Sequence, residues 1–121
     1  MRLNRQQLLI LYALGLCHEH FQKEFSGKPL GVTFSKSAFI ELMMKSGITD
    51  IKDRALYKNL EFFEEHGLIE YVHKSVTLSK KGWKLFESLR KTVDPFVKIA
   101  DTFRSQNISH YARKARTVLA V

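Results

Sequence analysis

A mainly α-helical fold with one small β-hairpin, of the α+β class, is what the 121-residue sequence predicts, and three observations predict it. Capping residues precede several stretches whose apolar side chains recur three and four apart. Two short β-rich runs stand side by side at residues 68–78. Apolar residues make up 45% of the chain and charged residues 26%, as a packed domain of this length requires.

Asn4, followed three positions on by Gln7, predicts a capping box and a helix over about 5–25. The apolar residues Leu8 to Leu14, Leu16 and Cys17 surround this helix completely, so both of its sides are expected to be buried, either as a central helix wrapped by the rest of the chain or as one shared between its own core and a dimer interface. Ser26-Gly27-Lys28-Pro29-Leu30-Gly31 reads as a loop, and Val32-Thr33-Phe34 as a very short strand. Ser35 can cap a helix with Ala38, Phe39, Leu42 and Met43 on its apolar side, and Gly47 can end it. After a four-residue turn, Thr49 or Asp50 can cap the next helix, residues 51–66. That helix buries Leu56, Leu60 and Phe63 and stops at Gly67.

Leu68 to Val72 and Val76-Thr77-Leu78 read as a hairpin around His73-Lys74-Ser75, although the tip lacks Asn-Gly or Asp-Gly. Ser79 can cap a helix carrying Trp83, Phe86 and Leu89. Asp94-Pro95 predicts a fresh helix start, since proline at the first helical position lacks only a donor that would be unpaired anyway. Phe96, Ile99, Ala100 and Phe103 make that stretch amphipathic. Gln106-Asn107 should interrupt it, with Ser109 capping a last helix that holds Tyr111, Ala115, Val118 and Leu119. Residues 1–90 are thus expected as one domain and 91–121 as a helical segment for dimerisation or accessory DNA contact.

This order of elements is that of a winged helix-turn-helix domain, and two stretches strengthen the resemblance. Leu60-Glu61-Phe62-Phe63-Glu64-Glu65-His66-Gly67-Leu68-Ile69-Glu70 resembles the passage from recognition helix to first wing strand in MarR-like and PadR-like regulators. Leu78-Ser79-Lys80-Lys81-Gly82-Trp83-Lys84-Leu85-Phe86 is similar to the Leu-Thr-x-x-Gly-x-x-x-Leu/Phe segment that follows their wing. The likeness covers residues 33–90. It implies double-stranded DNA as partner, a regulator of transcription acting as a homodimer, recognition helix 51–66 and wing 69–78.

In such docking the second helix of the pair enters the major groove. With Leu56, Leu60 and Phe63 turned inward, Lys52, Arg54, Tyr57 and Lys58 become the groove-side candidates. Arg54 is the preferred base reader, because a guanidinium bonds guanine in bidentate fashion. Ser35 and Lys36 can hold a phosphate at a helix start. His73, Lys74 and Ser75 would meet the backbone or minor groove from the wing. Arg113 and Lys114 could extend the contact, or could solvate a helix whose apolar side packs on the first helix or on a second subunit, the dimer being the preferred role.

Charge points the same way. Twenty basic against 12 acidic residues give +8 and a pI near 9.7, which favours polyanionic partners. The excess lies at the two ends, however, and residues 50–66 hold three basic against five acidic side chains, so the affinity of that helix alone should be modest. A protein-interaction module of transcription or replication machinery, with Tyr57 and Phe62 as contacts, therefore stands as an alternative. A sequence-tolerant architectural DNA binder is another.

No phosphate loop, Gly-x-Ser-x-Gly, His-Glu-x-x-His or paired-cysteine pattern is present, so no catalysis, metal or cofactor is expected. Cys17 and His20 lie three apart on a helix, but two ligands do not make a zinc site. Cys17, Met43-Met44 and Trp83 read as packing residues. A small-molecule effector is conceivable, but no residue identifies one. The longest apolar run, Leu8–Cys17, is half the roughly 20 residues of a membrane span. Arg2 and Arg5 precede it without a cleavage site behind it, so it reads as mature structure. A single cysteine fits a reducing cytoplasm, where a DNA binder would associate with the nucleoid.

Overall fold

The computed structural model describes residues 2–24, 33–48 and 51–113. Its element order is α1 (Arg5–Glu24), β1 (Phe34–Ser35), α2 (Lys36–Lys45), α3 (Asp53–Glu65), β2 (Ile69–Val72), β3 (Ser75–Leu78), α4 (Lys80–Ser105) and a 3-10 turn (Ile108–Tyr111). The fold is mainly helical with a small antiparallel sheet, an α+β arrangement. The chain divides into two compact units, Met1–Arg90 and Lys91–Val121. Among the described residues no helix is long and apolar enough to cross a membrane.

In the first unit, α1 lies against α2, α3 and β3. Its start is the reciprocal cap that the sequence predicts: the Asn4 amide donates to Gln7 Oε1 at 3.0 Å and the Gln7 amide to Asn4 Oδ1 at 2.8 Å. Burial within the chain is one-sided, so the helix is not wrapped by the rest of the chain. Ile10, Leu11 and Leu14 are buried, whereas Leu8 and Leu16 face solvent, because α2, α3 and the sheet cover only part of the circumference. Asn59 ties α3 to α1, its Nδ2 donating to Gln6 Oε1 at 3.1 Å.

The sheet has three strands in the order β1-β3-β2, not the two of a simple hairpin, because Phe34 and Ser35 pair with Val76 and Ser75. This pairing is what brings the start of α2 beside the hairpin. Phe34 then stacks between Phe21 and Phe39, with ring centroids at 5.8 and 6.0 Å. The β2–β3 connection is shorter than expected: Val72 pairs with Ser75, leaving His73 and Lys74 as a two-residue turn with φ of 51° and 67°. Two successive positive φ values are the mark of a type I′ turn, whose twist matches the flanking strands, so hairpin geometry overrides the missing Asn-Gly signal. Leu68 precedes β2 as a buried core residue.

Ser35 caps α2 as expected, its Oγ accepting from the Ala38 amide at 3.1 Å, and Gly47 follows the helix with φ of 83°. The buried side is Phe39, Ile40 and Met43, while Ala38 and Leu42 are exposed. Ile40, not assigned from the sequence, is buried where Leu42 is expected, because the groove between α1 and α2 leaves Leu42 open. Helix α3 begins at Asp53, two residues later than expected, and Ile51 enters the core ahead of it. The connection from α2 therefore spans residues 46–52, longer than a four-residue turn. The capping roles of Thr49 and Asp50, like the loop at 26–31 and Val32, lie outside the described residues. Leu56, Leu60 and Phe63 are fully buried, and Gly67 ends the helix region with φ of 71°.

Ser79 caps α4: its Oγ accepts from the Gly82 amide at 3.0 Å and donates to the Gly67 carbonyl at 2.5 Å. Gly82 is required because a Cβ there would stand 2.1 Å from the Leu68 carbonyl oxygen. Gly15 is required in the same way, since its Cβ would meet the Phe86 ring at 2.0 Å. No new helix starts at Asp94-Pro95; α4 runs unbroken through Pro95. Proline removes one backbone bond and crowds the preceding turn, but Lys91 and Pro95 are both exposed, so water can take the freed carbonyl. The helix ends at Ser105, as Gln106-Asn107 predicts. Ser109 sits within a 3-10 turn and donates its hydroxyl to Asn107 Oδ1 instead of capping an α-helix. Ala115, Val118 and Leu119 lie outside the described residues.

Candidate nucleic-acid interface

Pairing β1 with β3 places the first turn of α2 next to the β2–β3 hairpin, and packing of Leu56 and Leu60 into the core turns Tyr57 toward the same place. A cleft of about 370 Å³ results, lined by Ser35, Lys36, Ser37, Tyr57, Tyr71 and Lys74. Four of these, Ser35, Lys36, Tyr57 and Lys74, are residues singled out from the sequence, drawn from β1, α2, α3 and the β2–β3 turn. Ser37 and Tyr71 complete the lining and were missed. Tyr71 could have been found from strand alternation, because it follows buried Ile69 by two positions and shares its side of β2.

Polar chemistry in the cleft is one-sided. It carries two cations, Lys36 and Lys74, two serine hydroxyls and two phenols, and no carboxylate. The first turn of α2 contains no acidic residue, and its opening amides have no acceptor within the helix except where Ser35 takes that of Ala38. Ser35 Oγ and Ser37 Oγ lie 3.3 Å apart. Lys36 Nζ stands 4.3 Å over the Tyr71 ring, which fixes the ammonium at the cleft wall. The Tyr71 hydroxyl itself is buried without a hydrogen-bond partner. Burial, then the Glu64 carboxylate, Tyr57 and the Glu61 carboxylate hold it protonated far above the ordinary tyrosine range.

The remaining candidates fall elsewhere. Lys52 is the residue before α3, and Arg54 and Lys58 lie exposed on its first two turns, outside the cleft. Arg54 and Lys58 are four apart and flank Tyr57, so they continue the cleft along one helix face. Asp53 accepts from the Arg54 amide at 2.8 Å, which accounts for one of the acidic residues as an end-of-helix contact. His73 is exposed at the hairpin tip beside Lys74. Ser75 is not at the tip: it belongs to the central strand β3, half-buried, and its Oγ accepts from Thr33 Oγ1 at 2.6 Å. Arg113 is exposed in the second unit, and Lys114 lies outside the described residues.

Cys17 is half-buried, and desolvation pushes its thiol up to about 11, so the reactive thiolate is scarce near neutrality. Cys17 and His20 line an apolar groove of about 460 Å³ between α1 and α2, together with Leu16, Phe21, Leu42 and Met43. Among the described residues no group of three or more His, Cys, Asp or Glu side chains is placed to hold a metal. Comparison with known proteins finds no matching family model, curated relative or solved structure.

Proposed function

We propose that the chain is a non-catalytic protein that binds double-stranded DNA through a winged helix-turn-helix surface and regulates transcription. Helix α3 enters the major groove with Arg54 toward base edges, Tyr57 and Lys58 beside it, and Lys52 on the phosphate backbone. The start of α2 and the β2–β3 turn grip flanking phosphates through Ser35, Lys36, His73 and Lys74. The observation that carries this reading is the carboxylate-free cleft in which Lys36, Tyr57 and Lys74 converge from three elements.

The acidic residues that argued against α3 are consistent with it. Glu61, Glu64 and Glu65 occupy the later turns, and Asp53 accepts from the amide of Arg54, the second residue of the helix. They limit affinity without occupying the cleft. The second reading, a protein-interaction module, draws on one specific feature: Leu16 and Leu42 stand exposed along the α1–α2 groove.

Anisotropy titrations of labelled mixed-sequence duplex across a salt series test the proposal. The wild type should weaken steeply with salt, and Lys36→Ala with Lys74→Ala should reduce the log–log salt slope by about two. Arg54→Ala should cost about 1–3 kcal/mol on a selected preferred sequence and much less on mixed DNA. Equal affinity for all sequences would leave an architectural binder. Absence of binding at low salt would overturn the DNA reading.

A further inference from the structure

Tyr71 stands where three parts of the first unit meet. In the sheet it pairs with Val76, which pairs in turn with Phe34, so the three form one row across β2, β3 and β1. Opposed residues of neighbouring strands share a face, and Phe34 and Val76 are buried, so the Tyr71 side chain leaves the sheet on the core side. Its ring is half-buried and lines the cleft together with Tyr57 of α3. Lys36, two residues beyond Phe34 on the far edge strand, brings its ammonium 4.3 Å over that ring. Lys36 is half-buried, whereas Lys74, the other cation of the cleft, is exposed in the β2–β3 turn. Among the described residues neither lysine forms an ion pair, so the Tyr71 ring is the contact that holds Lys36.

We infer that Tyr71 is a positioning residue for DNA: its ring holds the Lys36 ammonium at the cleft wall, where a backbone phosphate arrives. This role rests on the DNA reading above. A free lysine side chain loses rotamer freedom when it meets a phosphate, but one held by a ring has lost part of that freedom on folding, so the contact forms at a smaller entropic cost. The two contacts are compatible, because an ammonium over a ring face keeps donors turned away from the ring. The Tyr71 hydroxyl takes no part. It is buried without a hydrogen-bond partner, and the groups that act on it are Tyr57, Glu61 and Glu64 of α3. A phenylalanine ring should therefore serve Lys36 as well as the tyrosine does, without a donor stranded away from water.

Double-mutant cycles on the full chain, read by the same anisotropy titrations, test the inference, with the proton chemical shifts of the Lys36 side chain in the DNA-free protein as a second readout. Tyr71→Leu should weaken DNA binding by about 2–5-fold and leave the salt slope unchanged, since no charge is lost. The same change should cost nothing further in Lys36→Ala and its full amount in Lys74→Ala. Tyr71→Phe should bind as the wild type does. Without DNA, the Lys36 methylene protons beside Nζ should lie upfield in the wild type and in Tyr71→Phe, and at ordinary positions in Tyr71→Leu. An equal loss from Tyr71→Leu whether or not Lys36 is present would overturn the inference and reduce Tyr71 to a support of the hairpin. Lys36 protons at ordinary positions in the wild type would overturn it whatever the DNA titrations show. Upfield protons in a protein that binds no DNA at low salt would overturn the phosphate role through the failure of the DNA reading alone, with the ring contact intact.

Discussion

The two ends of α4 obey the same repeat, positions 82, 86, 89, 93, 96, 100 and 103 alternating four and three apart, and meet opposite surroundings. Near its start, Gly82 lies against the Leu68 backbone, Phe86 is fully buried against Gly15, and the Arg90 guanidinium pairs with Glu19 and Glu87. Beyond Pro95, phenylalanines at equivalent positions of the repeat stand in solvent. Periodicity reports which side of a helix is apolar; it does not report whether this chain or another covers that side. The glycines make the difference visible, because a helix packed closely on its own fold needs residues without side chains at the approach, and the later half of α4 contains none.

Breaking the packed half should produce the largest effects. Phe86→Ala removes a ring that fills the space over Gly15 and should destabilise the fold by about 4 kcal/mol in chemical denaturation. Gly82→Ala forces a methyl onto a backbone carbonyl that has no side-chain freedom with which to retreat, so a loss of about 2–3 kcal/mol or more is expected. Phe103→Ala, an identical chemical deletion to that at Phe86, should change the monomer's stability by no more than about 0.5 kcal/mol. Similar losses at Phe86 and Phe103 would mean that the later half is covered within the monomer, and the contrast would fail.

How much of this was legible beforehand follows from the same distinction. Local signals read correctly where short-range chemistry decides: the Asn4–Gln7 box, the Ser35 and Ser79 caps, the positive φ at Gly47 and Gly67, and the Leu56-Leu60-Phe63 side of α3. Tertiary contacts decided the rest. Ile40 turns inward where Leu42 is expected, and Ser75, expected at a tip, stands in a strand through its pairing with Val72 and Ser35. Asp94-Pro95 carried a strong start signal that the helix simply ran through, because the residues before it were already helical and anchored by Phe86. Of the candidate interface, the cationic members were visible as residue types. Their convergence was not, since it depends on β1 joining the sheet.

A substitution at that proline sharpens the contrast from the other side. Pro95→Ala restores the backbone donor to the Lys91 carbonyl and relieves the preceding turn. Because the surroundings are exposed, the gain should remain local, raising the opening free energy of amides 96–105 in hydrogen exchange by about 1–2 kcal/mol. Amides of α1 and α3 should keep their wild-type protection. A comparable rise throughout both units would show that the two halves of α4 open together.

The smallest effect belongs to the packed half and depends on pH. His18 of α1 meets the edge of Trp83 at 5.6 Å between centroids, and Gln22 Nε2 lies 3.1 Å from His18 Nε2, an arrangement suited to a neutral ring accepting from the amide. Desolvation lowers its pKa below the ordinary 6.5. The unfolded chain thus binds the proton more readily than the folded one, so the contribution of this contact is complete above about pH 6.5 and is lost as pH falls through that value toward the folded pKa. Melting temperature should drop slightly more between pH 7.5 and 5 in the wild type than in His18→Gln, with solvent access to the ring keeping the difference below the effect at Pro95. Equal pH dependence in the two proteins would mean that the ring stays as well solvated in the folded state as in the unfolded one, and that the packing around Phe86 does not extend through Trp83 to His18.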